Sequence, residues 1–283
     1  METRIQVTLT VSEAKRIIAK GVATLPEVQQ ALSEGKVLLK GGTTVSAIGE
    51  ELIGQPLKIS GRVSPRGTRA ALNSTVQGHV LLLTSGSFQV VEDSLKEIIP
   101  TLGRQDIIII GANALDPYGN AAMCMGGVFG GPAGEVLAGV LGCGARIIIP
   151  VGLEKLIPGP ISEAVMAAGR NTMRLSRGMA VGMLPLIGQI VTERDALALL
   201  ANVSCTVIAK GGIDGAEGAT TMVVSGSEAE VAKAASVIDQ IRGCTVSGLP
   251  ESLAECKPGG ESCKNHKGCL YKAGKSGFEL SSI

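Results

Sequence analysis

The sequence predicts an α/β protein built around a mainly parallel sheet. Hydrophobic residues make up 45% of the 283 residues, but the chain has no Trp, three Phe and two Tyr, so its apolar content is aliphatic. Its 39 glycines are about twice the usual share. Short β-branched segments alternate with glycine-rich loops and amphipathic helices. This rhythm is typical of buried parallel strands joined by helical crossovers.

The charge balance and the lack of a long apolar run restrict the classes of partner. With 26 Lys and Arg against 25 Asp and Glu, the net charge is +1, which argues against nucleic acid or an anionic membrane as the main partner. Residues 1–15 have no apolar signal-peptide core. The least charged stretch, residues 121–145, is interrupted by glycines, a proline and a glutamate. We therefore expect a cytoplasmic protein without a membrane segment.

The elements expected before residue 152 follow the α/β rhythm. Strands are predicted at residues 5–9, 36–40, 57–60, 80–83, 106–110 and 146–151. Helices are predicted from residue 13 and at residues 25–35, 45–53, 90–102 and 132–143. The strand at 106–110 is almost entirely isoleucine, as expected for a strand covered on both faces.

The pattern changes after residue 154. Helices at 161–170, 192–200 and 228–241 accompany two strands, at 206–209 and 220–224, that flank a glycine-rich turn. The order helix, strand, strand, helix is typical of a small α+β module of the ferredoxin-like kind. From residue 250 the chain is polar and rich in Gly, Lys and Cys. The predicted domains are an α/β domain at 1–190, the α+β module at 191–245 and a tail at 246–283.

The turn after the strand at 36–40 is a candidate anion site. Gly41, Gly42, Thr43 and Thr44 join this strand to a helix. Glycines let the backbone approach an anion, the helix N-terminus offers free N–H groups, and threonine hydroxyls add donors. The alternative is an ordinary strand-to-helix turn with threonine caps.

A polar loop after the strand at 57–60 carries Arg62, Arg66 and Arg69. Ligands of open α/β sheets bind at the carboxyl ends of strands, and arginines there bind phosphate or carboxylate groups bidentately. The alternatives are a solvated basic loop and a contact within a homo-oligomer. Ser85, after the strand at 80–83, is placed in the same cleft, whereas His79 is interpreted as a hydrogen-bonded structural histidine.

The loop after the isoleucine strand runs from Gly111 to Asn120 and contains Asn113 and Asp116. A strand followed by G-A-x-x-x-D-x-Y-G-N resembles a loop of the glutaconate-type CoA transferases. The wider pattern resembles methylthioribose-phosphate isomerases and the translation initiation factor 2B family. Both groups belong to the NagB/RpiA/CoA-transferase-like superfamily, whose ribose-phosphate isomerases also have a Gly-Thr-Thr-type turn after an early strand. The resemblance covers residues 36–151.

The resemblance implies a Rossmann-like, three-layer αβα fold with a cleft for a phosphorylated sugar, a nucleotide or a CoA ester. The small anionic ligand is then the expected partner. The residues implied in its binding are Gly41, Gly42, Thr43, Thr44, Arg62, Arg66, Ser85, Asn113, Asp116 and Asn120.

Two departures from the family patterns bear on catalysis. Asn113 stands where the isomerase-like pattern has an acid, and an amide cannot take a proton from carbon. The Ser-Glu-Asn-Gly context of the transferase nucleophile is absent, and Glu92, Glu135 and Glu154 are interpreted as surface charges. Asp116 is the candidate acid or ligand orienter, with an Asx turn as the alternative. We expect a non-catalytic ligand sensor or assembly protein, with an isomerase or acyl/CoA transferase with altered catalytic groups as the alternative.

The tail carries a candidate metal site. Cys263, His266 and Cys269 are spaced C-x₂-H-x₂-C, Cys256 lies seven residues earlier, and Cys244 lies farther back. Three thiolates and one imidazole form a known zinc set, whereas four thiolates including Cys244 suit an iron–sulfur cluster. In a cytosolic chain such a group predicts metal binding more than disulfides. The alternative is a set of reduced, unliganded thiols.

Overall fold

The computed structural model describes residues 2–72, 78–130, 134, 137–260, 263–264, 266–272, 274 and 277–278. Its strands are, in chain order, β1 (Thr3–Leu9), β2 (Lys36–Lys40), β3 (Gly61–Ser64), β4 (Gly67–Ala70), β5 (Val80–Thr84), β6 (Ser87–Val90), β7 (Ile107–Ile110), β8 (Ala114–Leu115), β9 (Ala121–Met125), β10 (Arg146–Pro150), β11 (Gly182–Leu186), β12 (Gln189–Val191), β13 (Ser204–Lys210) and β14 (Thr220–Gly226).

The α-helices of the described residues are, in chain order, α1 (Val11–Thr24), α2 (Pro26–Glu34), α3 (Thr43–Ile53), α4 (Leu95–Ile98), α5 (Leu137–Gly142), α6 (Ile161–Ala167), α7 (Glu193–Leu200) and α8 (Glu228–Gln240). Short 3₁₀ turns lie at Ile99–Thr101, Val128–Gly130, Leu153–Lys155 and Pro250–Leu253. None of the described helices is long and apolar enough to cross a membrane.

A six-stranded sheet of order β12-β10-β7-β2-β5-β6 forms the centre of the molecule. The strands β12, β10, β7 and β2 run parallel to one another. The hairpin of β5 and β6 completes the sheet antiparallel to β2. The α/β class predicted from the sequence is therefore confirmed. The isoleucine strand β7 lies inside the sheet and all four of its residues are buried, as expected for a parallel strand covered on both faces.

Helices cover both faces of this sheet because side chains alternate along each strand. Val37 and Leu39 of β2 and Ile109 of β7 belong to the core that includes α1, α2 and α3. Leu38 and Ile108 point to the other face, where they pack with α4, the turn that follows it and α5. The start of the helix predicted at 132–143 lies outside the described residues.

A second sheet, of order β1-β14-β13, is antiparallel. The N-terminal strand β1 pairs with β14 along its whole length, from Thr3 opposite Gly226 to Leu9 opposite Thr220. The buried side of α8, with Val231, Ala234 and Ile238, packs in the same core as this sheet. The sequence predicted two strands here, and the structure adds a third from the opposite end of the chain.

The segment predicted as a strand at 57–60 is irregular instead. Leu57 and Ile59 are buried, but side chains satisfy their N–H groups: Ser46 Oγ accepts from Leu57 at 2.8 Å and Ser252 Oγ accepts from Ile59 at 2.9 Å. Buried backbone donors need partners, but these need not come from a strand. The basic segment that follows is not a loop either, because it pairs with itself as the β3–β4 hairpin.

The helix predicted at 90–102 is much shorter in the structure. Residues 87–90 pair with β5 as β6, so the helix begins only at Leu95. Its regular part ends at Ile98, and the 3₁₀ turn that follows contains Pro100, which lacks an N–H for a further α-helical bond.

Candidate functional site

The turns after β2, β7 and β10 meet at the carboxyl edge of the parallel strands. A Cβ added to Gly111 would lie 3.6 Å from Val45 Cγ2 of α3 and 3.9 Å from the carbonyl oxygen of Pro150. Open α/β sheets bind their ligands at this edge. We call the residues 41–44, 111–113 and 152–155 at this edge the strand-end site.

The two glycines of the predicted anion turn have different surroundings. A Cβ on Gly41 would lie 2.7 Å from the carbonyl oxygen of His79 and 2.8 Å from that of Lys58, so Gly41 is needed for close backbone packing. Gly42 is the N-cap of α3, and a Cβ there would meet no atom within 4 Å. Its φ of 172° is extended backbone that any residue adopts. The open side of the turn is therefore at Gly42.

The first turn of α3 has hydrogen-bonding groups without partners among the described residues. The first N–H groups of an α-helix have no intrahelical partner, and no side chain of the described residues caps this helix. Thr44 is 2% exposed, and its Oγ1 has no hydrogen-bond partner among the described residues. Buried hydroxyls without partners are uncommon in proteins. Together with the helix dipole, these donors favour a negatively charged group at this turn.

A cluster of opposite charges adjoins the end of β10. Glu154 Oε1 lies 3.7 Å from Lys15 Nζ and 3.8 Å from Lys155 Nζ, and the Glu154 side chain is 12% exposed. Both Glu154 carboxylate oxygens are shielded from solvent and accept no hydrogen bond in the described structure. Desolvation lowers the pKa of Lys155 to about 8, against the opposing effect of Glu154. The interpretation of Glu154 as a surface charge is therefore wrong.

Neighbouring polar groups hold this cluster in place. Glu193 accepts from the Leu153 N–H at 2.9 Å and from the Thr220 hydroxyl at 2.9 Å, and burial raises the pKa of its carboxyl group. Asn113 Oδ1 accepts from the Cys124 N–H at 2.8 Å. Burial raises the pKa of the Cys124 thiol, although the positive charge of Lys155 acts against this. These contacts fix the backbone at Leu153, two residues before Lys155, and join the loop at Asn113 to β9.

Asp116 forms the Asx turn that the sequence left as the alternative to a catalytic acid. Its carboxylate is buried and accepts from the N–H groups of Tyr118 at 2.9 Å and Asn120 at 2.8 Å, and from the Ile161 N–H at 3.0 Å. Burial raises the pKa of Asp116, but these bonds and the Asn120 side chain outweigh it and bring the pKa to about 2. Asp116 thus ties its loop to the start of α6, and Asn120 is part of the same turn.

Replacement of Asp116 by asparagine is expected to lower the melting temperature at pH 7. The ordinary pKa of 3.8 is depressed to about 2 in the folded chain, so the stabilisation is fully present above about pH 4 and is lost as the pH falls through about 2. The difference in melting temperature between wild type and D116N should therefore shrink towards pH 2. The control is Asp93→Asn, because Asp93 is exposed. A loss of melting temperature in D116N that does not depend on pH would contradict this role of Asp116.

Several other predicted residues lie away from the strand-end site. We expected Ser85 in the cleft, but β5 is antiparallel to β2 and pairs Thr84 with Lys36, which places the turn at the opposite edge of the sheet. Arg62 donates to the carbonyl oxygens of Leu253 and Ser252 in the C-terminal segment.

Arg66 and Arg69 also face the C-terminal segment. Arg66 Nη1 lies 3.6 Å from Glu255 Oε2, and the Arg66 guanidinium stands 4.6 Å from the centre of the Tyr271 ring. The β3–β4 hairpin therefore serves as the docking surface of the tail, and a ligand-binding role of these arginines stays a prediction.

The remaining predicted groups have structural contacts. The His79 imidazole Nδ1 is 3.0 Å from the carbonyl oxygen of Lys58, and burial, with the charge of Lys40, lowers its pKa to about 4. Glu92 Oε2 accepts from the N–H groups of Gly78, His79 and Val80 at 2.6–3.2 Å. Glu135 lies outside the described residues.

The predicted metal ligands of the tail share one pocket. It lies between the β3–β4 hairpin and the C-terminal segment, and its lining includes Arg69, Cys256, Cys263, His266, Cys269 and Tyr271. We call it the cysteine pocket. Cys244 lies elsewhere, beside Arg16 and Glu13. In the part of the chain that the structure describes, no group of three or more His, Cys, Asp or Glu residues is arranged to hold a metal ion.

The cysteine pocket is electropositive. Arg69 is 2% exposed, and its Nε and Nη1 have no hydrogen-bond partner among the described residues. Desolvation lowers the pKa of His266, and the charges of Arg170, Lys272 and Arg69 lower it further. The imidazole is thus held in the neutral form, which is the form that ligates metals.

Comparison with protein-family models, curated proteins and solved structures finds no match to this chain. The candidate sites therefore depend on the geometry described above. Sequence reasoning missed Lys15 and Lys155 as members of the strand-end site. A signal existed for Lys155, which follows the end of a predicted strand by a few residues, but none for Lys15, which lies on a helix far away in the sequence.

Proposed function

We propose that the strand-end site binds a small anionic ligand, namely a phosphorylated sugar, a nucleotide or a CoA ester, and that the protein is a non-catalytic ligand sensor or assembly protein. The observation that carries this proposal is the charge cluster: two lysines surround one carboxylate whose oxygens have no hydrogen-bond donor among the described residues. Buried polar groups normally have partners, and a ligand with both a negative charge and hydroxyl groups supplies what this cluster lacks.

The phosphate of such a ligand fits the open turn at Gly42. There the N–H groups of the first turn of α3 and the Thr44 hydroxyl offer donors, and the helix dipole favours negative charge. Lys15 and Lys155 supply two positive charges, which offset the carboxylates of Glu154 and Glu193 in this cluster. The hydroxyl groups of a sugar or ribose are the natural donors to the Glu154 oxygens.

We also propose the finer architecture that the resemblance implied. The helices on both faces of the central sheet support a Rossmann-like, three-layer αβα domain of the NagB/RpiA/CoA-transferase-like kind. The antiparallel sheet β1-β14-β13 with α7 and α8 supports a ferredoxin-like module.

A second candidate function is an isomerase or acyl/CoA transferase with altered catalytic groups. The observation in its favour is the pair of Glu154 and Lys155, because a shielded carboxylate beside a lysine with a pKa of about 8 is suited to proton transfer. Conversion of a bound probe by wild type, lost in Glu154→Gln with binding retained, would favour this candidate over the sensor.

Isothermal titration with ribose 5-phosphate, AMP and acetyl-CoA tests the binding proposal. We expect saturable binding of at least one probe by the wild type, weakened in Lys155→Met because the variant removes one of the two cations. A folded protein that binds none of the three would overturn the proposal. Binding that is as tight in K155M as in wild type would place the ligand elsewhere.

We further propose that the cysteine pocket holds a metal ion, with zinc ahead of an iron–sulfur cluster. Cys256, Cys263, His266 and Cys269 would supply three thiolates and a neutral imidazole. A metal bound by three thiolates carries net negative charge, which matches the Arg69 guanidinium, whose Nε and Nη1 donate no hydrogen bond among the described residues. Because the four donors line the pocket without forming a coordination group, metal binding would have to draw their side chains together.

Metal analysis of protein purified without oxygen is expected to find about one equivalent of zinc per chain. Cys263→Ser should lose the metal, whereas the matched control Cys205→Ser, on β13, should keep it. Substoichiometric zinc and iron in protein with intact thiols would contradict the metal site.

A further inference from the structure

An apolar pocket opens between the central sheet and the helices on the face opposite to α1, α2 and α3. Its lining includes Leu38, Leu95, Ile99, Ile108, Val140 and Leu141. These side chains come from β2, β7, α5 and the segment around α4. The end of β11, with Pro185 and Leu186, and Ile187 after it close one side of the pocket. Small-molecule sites are commonly of this kind, with mostly apolar walls and few polar groups.

One cation, Lys40, stands among these apolar walls. It lies two residues after Leu38 on β2 and therefore on the same face of the sheet, towards the pocket. Desolvation lowers the pKa of its ammonium group to about 8, and Lys40 forms no salt bridge with a carboxylate of the described residues. The contact found for its Nζ in the described structure is the Met123 sulfur, at 3.6 Å. A thioether is a weak acceptor and leaves the ammonium poorly satisfied.

We propose that this pocket binds an aliphatic carboxylate, with the chain among the apolar side chains and the carboxylate on Lys40. A partly buried ammonium without a counter-charge is unfavourable, and a ligand carboxylate relieves it. A phosphate fits less well, because it brings more negative charge than one lysine balances and the other lining groups offer few donors. This inference does not depend on the strand-end site, because none of the residues that line the pocket belongs to that site.

Isothermal titration with octanoate tests the proposal, with 1-octanol as the neutral probe of equal chain length. We expect the wild type to bind octanoate more tightly than 1-octanol. Lys40→Met should weaken octanoate binding at least about tenfold and leave 1-octanol binding unchanged. Removal of one partner of a buried charge pair lowers affinity strongly, because the other charge is left unpaired.

Leu141→Trp provides a test that leaves the lysine in place, because a larger side chain at the pocket should exclude the chain of the ligand. Its matched control is Leu199→Trp on α7, since Leu141 is 47% and Leu199 is 46% exposed. We expect L141W to lose octanoate binding and L199W to keep it.

No octanoate binding by folded wild type would overturn the proposal. Equal binding of octanoate and 1-octanol would overturn the role of Lys40, and undiminished octanoate binding in L141W would overturn the pocket. If K40M does not fold, the comparison of L141W with L199W still decides the location.

Discussion

Replacement of Glu154 by glutamine is expected to destabilise the folded chain by about 3 kcal/mol. The variant leaves Lys15 and Lys155 without the carboxylate that lies 3.7 and 3.8 Å from their ammonium groups. Charges that are largely removed from water are tolerated only when they are paired. Urea denaturation of wild type and E154Q measures the difference, and the exposed Glu163→Gln is the matched control.

The same cluster predicts a pH dependence of stability. The pKa of Lys155 falls from its ordinary 10.5 to about 8 in the folded chain, so the unfolded chain binds more protons between these values. Stability should therefore rise with pH across this window, and Lys155→Met should show a smaller rise. A free energy of unfolding of E154Q that lies within about 0.5 kcal/mol of the wild-type value would contradict a shielded charge cluster.

Replacement of Arg69 by methionine is expected to release the C-terminal segment from the β3–β4 hairpin. Arg69 donates to the carbonyl oxygen of Cys256 at 2.5 Å, its Nε lies 3.7 Å from Glu255 Oε2, and its guanidinium stands 4.6 Å from the centre of the Tyr271 ring. The loss of these contacts from a residue that is 2% exposed should weaken docking by roughly 3 kcal/mol.

Hydrogen exchange of the backbone amides in residues 256–272 measures this release. Arg66→Met is the matched control, because Arg66 contacts the same Glu255 and Tyr271 but its side chain is 47% exposed. An exposed ion pair contributes only about 0–1 kcal/mol. R66M should therefore keep most of the wild-type protection of these amides from hydrogen exchange. Equal protection in R69M and wild type would contradict the role of Arg69.

The sequence predicts the α/β class because the strands are short, β-branched and separated by helices with clear periodicity. It does not reveal strand direction, since the apolar run at β5 reads the same in either orientation. Because β5 pairs antiparallel with β2, Ser85 lies at the opposite edge of the sheet from the one that we expected. In the same way, the pairing of β1 with β14 has no local signal.

For the candidate sites, local motifs were more informative than single charges. The glycine–threonine turn and the loop from Gly111 lie at one edge of the sheet because they follow neighbouring parallel strands. The spacing of the tail cysteines also predicts a common location, and four of the predicted donors line one pocket. Burial of Glu154 beside Lys15 depends on tertiary packing, which is why sequence reasoning missed it.

The strand-end site is tested most directly at Gly42, where a side chain has open space and an ordinary backbone conformation. Aspartate and asparagine are both good N-cap residues, so Gly42→Asp and Gly42→Asn should both fold.

The measurement is the affinity of both variants for whichever of ribose 5-phosphate, AMP and acetyl-CoA binds the wild type. The fixed carboxylate of G42D occupies the anion position at the start of α3, so we expect it to bind at least about tenfold more weakly than the neutral G42N. Equal affinity of G42D and G42N for that ligand would contradict an anion site at this turn.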